Sequence, residues 1–109
     1  MKGLPLTREA SVLYRALLQR VDTNRHRILL SDASSTEWHS LTFAGHRHML
    51  TIRITGPDPD ELAKQLTENL GDAELNIPGN LVADITASPI LDKENGSILV
   101  VIEALTIGE

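Results

Sequence analysis

At 109 residues, with 41% apolar and 23% charged side chains, the chain has the length and composition of one folded domain. It has no cysteine, which excludes disulfides, thiolate metal sites, Fe–S clusters and a Cys nucleophile, and makes a reducing cytoplasm the expected compartment. A net charge of −5 argues against general nucleic-acid binding, which draws its affinity from phosphate neutralisation, and one Trp, one Tyr and one Phe leave little to stack a base, flavin or sugar.

The N-terminus, Met1-Lys2-Gly3-Leu4-Pro5-Leu6, lacks the long apolar run of a secretory leader. The Asn95-Gly96-Ser97 sequon is therefore expected to be unused. No stretch approaches ~18 consecutive apolar residues, so no membrane-crossing helix is expected. A first helix is predicted from about Arg8 to Val21, capped by the Thr7 hydroxyl. Ala10, Leu13, Tyr14, Leu17 and Val21 recur at helical spacing and form its buried stripe.

Arg20, Arg25 and Arg27 then frame Asn24 and His26. This is a candidate anion patch, set against the plainer reading of a solvated helix-to-strand connection. A first strand is predicted from about His26 to Ser31. Asp32-Ala33-Ser34-Ser35-Thr36 has the composition of a turn.

The second and third strands, Glu37–Phe43 and His46–Thr55, read as a hairpin turning at Ala44-Gly45. Three of the four histidines lie on it. A two-residue turn there sets Phe43 opposite His46, Leu41 opposite His48 and His39 opposite Leu50. His39 and His48 then become diagonal neighbours roughly 7–8 Å apart on one face. Two or three imidazoles converging in this way suit zinc, which in catalytic sites takes three protein ligands and a water. The plainer reading is a set of polar side chains at the margin of a face that Leu50, Ile52 and Ile54 commit to the core. Asp32, Glu37 and Asp84 are the carboxylates available to accompany the histidines.

Asp58-Pro59-Asp60-Glu61 signals the start of a second helix: a cap, Pro at the first position, and Glu three residues after the cap. Leu62, Leu66 and Leu70 mark its buried edge, and Gly71 its end. After a turn at Ile77-Pro78-Gly79-Asn80, a fourth strand is predicted over about Asn80–Ser88. There Leu81, Ala83, Ile85 and Ala87 alternate with Val82, Asp84, Thr86 and Ser88. An Asn95-Gly96 turn leads into a fifth strand, about Ser97–Ile107, which is apolar on both faces.

The expected order is α-β-β-β-α-β-β: one α+β domain spanning residues 1–109, a two-layer sandwich of a five-stranded antiparallel sheet and two helices. A last strand apolar on both faces must either lie centrally or be covered on its outer face by a second subunit; the second option, a homodimer, is the one expected. The chain has no Gly-x-Ser-x-Gly elbow and no phosphate-binding glycine loop. The expected function is that of a non-enzymatic cytoplasmic module, without a cofactor, that self-associates or binds a protein partner. The alternative is a metal- or small-ligand-binding protein, hydrolytic in one form. It would use His39, His46 and His48 around zinc or another divalent ion.

Overall fold

Thr7 starts the first helix as its chemistry predicts: its Oγ1 accepts from the backbone N–H of Ala10 at 3.0 Å. The computed structural model describes residues 6–73, 75, 77–92 and 96–108. Helix α1 runs Arg8–Leu18 and buries Ala10, Leu13 and Leu17. It ends one turn earlier than the periodicity predicts, and Val21 is buried just beyond it. A 3-10 segment, Asp22–Arg27, leads to strand β1, Ile28–His39. Strand β2 is Ala44–Ile54, helix α2 Pro59–Thr67, strand β3 Asn80–Asp92 and strand β4 Ser97–Gly108.

Among the described residues the sheet therefore has four strands, not five, and the element order is α-β-β-α-β-β. The polar run Asp32–Thr36, which looks like a turn, lies inside β1 and stays paired with β2 throughout. β1 is an edge strand, so its outer groups can face water and hydroxyl side chains are tolerated. The irregularity is absorbed by a bulge between Leu30 and Asp32. Ser31 Oγ donates there to the Thr51 carbonyl at 3.2 Å.

All pairs are antiparallel, in the order β1-β2-β4-β3. β4, apolar on both faces, is accordingly central. A second bulge, between Val82 and Asp84 on the other edge strand, breaks the alternation predicted for that strand. Leu81 is consequently 57% exposed while Val82 and Ile85 turn to the core. Residues 93–95, among them Asn95 of the expected Asn-Gly turn, lie outside the described residues.

Both helices pack on one sheet face. Leu13 and Leu17 of α1 and Leu62 and Leu66 of α2 share one core with Leu50, Ile52, Ile54, Val100 and Ile102. Asp58 precedes α2 as expected, with Pro59 at its first position. Its side chain makes no cap hydrogen bond, because the backbone takes the left-handed conformation (φ 51°). Arg20 closes the other end of α2: its Nε donates to the Leu66 carbonyl at 2.7 Å, and a second guanidinium nitrogen donates to the Glu68 carbonyl. No described helix is long and apolar enough to cross a membrane.

Candidate functional site

The hairpin turns at Ser40-Leu41-Thr42-Phe43, not at Ala44-Gly45. The Ser40 N–H donates to the Phe43 carbonyl at 2.8 Å, and Ser40 Oγ accepts from the Phe43 N–H at 3.0 Å. Gly45 lies inside β2, where it serves a close approach. A Cβ there would sit 1.8 Å from the Thr106 carbonyl oxygen on β4.

The register follows from the true turn. Ser35 opposes His48, Glu37 opposes His46, and His39 opposes Ala44. The predicted diagonal between His39 and His48 is therefore not formed. The two stand four residues apart along β2, about 13 Å. The face assignment nevertheless holds, because the displacement from the expected register is even, and an even slip keeps every side chain on its face. His39, His46 and His48 all lie on the helix-covered face, beyond the end of the leucine and isoleucine rows.

His48 is fully buried. Its Nδ1 shares a 2.7 Å hydrogen bond with Ser35 Oγ, and Ser35 Oγ lies 3.4 Å from the capping hydroxyl of Thr7. Its Nε2 has no hydrogen-bond partner. The imidazoles of His46 and His48 stack, with centroids 5.6 Å apart and planes inclined by 18°. Burial holds the His48 pKa below the usual histidine range; the charge of His46 adds to this, and Glu9 opposes it.

Glu37 links the other two histidines. Its carboxylate oxygens lie 3.9 Å from His39 Nε2 and 4.0 Å from His46 Nε2. These side chains border a cleft of about 290 Å³ at the end of the sheet, lined also by Glu9 from α1, Gly45 and Asn80. Of the three carboxylates singled out from sequence, the register selects Glu37. Its alternation with His39 along one strand face was the available signal. Glu9 and Thr7 carried no signal, because only packing brings the start of α1 against this end of the hairpin; Ser35 was hidden by the register, which sets it opposite His48. As the side chains stand, no group of three or more His, Asp or Glu among the described residues is placed to hold a metal ion.

The arginine cluster is occupied by structural work. Besides Arg20, Arg27 Nε donates to the Thr55 carbonyl at 2.8 Å, and Arg25 Nε to the Asp22 carbonyl at 3.2 Å. Comparison with protein-family models, with curated proteins and with solved structures finds no match to this chain.

Proposed function

We propose that this protein is a non-enzymatic cytoplasmic module that works by pairing with a second copy of itself. The observation that carries this reading is the sheet face opposite the helices, which no described element covers. Leu29, Met49, Leu81 and Ile90 are exposed there, at 54%, 41%, 57% and 52%. Between them run the half-buried Leu99 and Val101 of the central strand.

Three physical features favour a second copy as the occupant. Strands of 11–13 residues, four abreast and about 4.8 Å apart, present a face of about 750 Å², close to the ~800 Å² per partner of a standard-size interface. The edges are blunted against strand addition: each edge strand carries a bulge and an exposed Asp beside it (Asp32, Asp84), and β3 adds Pro89. On the face itself these two Asp stand at the margins, opposite Thr51 and Leu105, outside the row of Leu99 and Val101. Arg47 and Glu103, neighbours on that face, form an ion pair at 3.6 Å, so a self-complementary pairing brings no unbalanced charge against itself at this point.

Sedimentation equilibrium tests the proposal. The wild type is expected to be dimeric at tens of micromolar. Val101→Glu, which puts a charge on the outward face without touching the core, is expected to be monomeric with its far-ultraviolet spectrum unchanged. A monomeric wild type at that concentration, or a Val101→Glu dimer, overturns the reading.

A further inference from the structure

We propose that His48, Ser35 and Thr7 form a pH-sensitive clasp, which ties the first turn of α1 to the sheet while the imidazole is neutral and releases that turn on acidification.

The tie is a chain of three side chains. Ser35 Oγ lies 2.7 Å from His48 Nδ1 and 3.4 Å from Thr7 Oγ1. Thr7 Oγ1 is also the helix cap, accepting from the Ala10 N–H at 3.0 Å. One oxygen thus serves both the end of α1 and its attachment to the hairpin. The two ends of the chain differ in freedom. β2 is paired on both sides, to β1 and to β4, so the backbone of His48 is fixed. Thr7 stands at a helix end, where local opening costs least.

The placement of protons makes the tie sensitive to acid. A neutral imidazole has one N–H, so one nitrogen donates and the other accepts. With Nδ1 donating to Ser35, the neutral ring leaves Nε2 as a bare lone pair. The protonated ring carries N–H on both nitrogens, and Nε2 is then a buried donor without an acceptor. Displacing the first turn of α1 opens this end of the core to water, which accepts from that donor.

The surroundings do not compensate the charge. His46 stacks on the ring from β2, and Glu37 of β1 lies toward His39 and His46. β4 brings Ala104 and Thr106 to this face and β3 brings Val82 and Ile85, none of them charged; α2 buries only apolar side chains. α1 brings Glu9, which favours the charged ring, with the exposed Arg8 beside it. Burial outweighs Glu9 and holds the closed ring below the usual histidine range. The opened ring takes its proton near the ordinary value of about 6.5. The closed form is therefore fully favoured above that pH, and the opening constant rises by up to about tenfold per unit below it. The clasp lies on the helix-covered face and does not rest on the pairing proposed for the other.

Amide hydrogen exchange, corrected for the intrinsic rate at each pH, tests the clasp in the whole chain. Between pH 6.5 and 5.5 the opening constant read at the Ala10 and Ser11 amides is expected to rise by up to about tenfold, and to exceed that read at Ile102 of the central strand. The His48 ring proton resonance is expected to titrate below the usual histidine range. Ser35→Ala, which cuts the chain, is expected to lower Ala10 protection several-fold at pH 7.5. His48→Phe is expected to abolish the pH response, and Val101→Glu to leave it intact. Ala10 protection indifferent to pH overturns the clasp. So does an ordinary His48 titration, unaltered protection in Ser35→Ala, a response kept in His48→Phe, or a response lost in Val101→Glu. The wild-type titration and Ser35→Ala decide the matter if His48→Phe fails to fold.

Discussion

His48 shows how a single residue can carry chemistry that its neighbours in sequence do not reveal. It is buried, satisfied at Nδ1 by Ser35 and without a partner at Nε2. Protonating it places a charge where burial and His46 both disfavour one, with only Glu9 in opposition. Because its folded-state pKa is depressed, the unfolded chain binds the proton more readily, so stability is complete above the unfolded pKa near 6.5 and falls as pH drops below it. The limiting slope is about 1.4 kcal/mol per pH unit for one proton. Chemical denaturation between pH 7.5 and 5.5, with chelator present, is expected to show this decline in the wild type. His48→Phe should flatten it; an equal decline in the variant would remove His48 as its cause.

Among the elements, the β1–β2 hairpin was the most legible in outline and the least legible in detail. Strand propensity and alternation identified the antiparallel pair and the face on which the histidines lie. They did not identify the turn, because Ala44-Gly45 resembles a two-residue connection, whereas Ser40 closes a four-residue one with its own hydroxyl. What sequence cannot show at Gly45 is the neighbouring strand: the glycine is required by the Thr106 carbonyl on β4, a contact 61 residues away in the chain. Gly45→Ala is accordingly expected to destabilise the fold by about 1–3 kcal/mol, read as a lower denaturation midpoint, since the obstacle is backbone and cannot rotate aside. An unchanged midpoint would show that β2 and β4 can separate there freely. Helix α2 teaches a similar lesson. Asp58-Pro59 located its start, yet the left-handed backbone at Asp58 takes the carboxylate away from the cap.

For the whole molecule, the decisive relation is between layer lengths. Twelve-residue strands extend about 40 Å, while α1 and α2 are about 16 and 14 Å long, so neither helix can cover the sheet from end to end. The molecule measures 47 × 32 × 22 Å, and the mismatch leaves the histidine cleft open at one end. No described element covers the second sheet face. If a second copy covers it, folding is linked to association, and the melting temperature is expected to rise over a hundredfold concentration series. Val101→Glu should remove that dependence; a concentration-independent wild type would count against the pairing. The sequence by itself determined the two amphipathic helices, the antiparallel character of the sheet and the core rows, because these follow from local periodicity. Only the tertiary structure decided that Asp32–Thr36 continues a strand, that His48 is buried away from His39, and that Glu37 stands between two histidines. Those outcomes depend on register, and register is set by a turn and by partner strands that local periodicity does not contain.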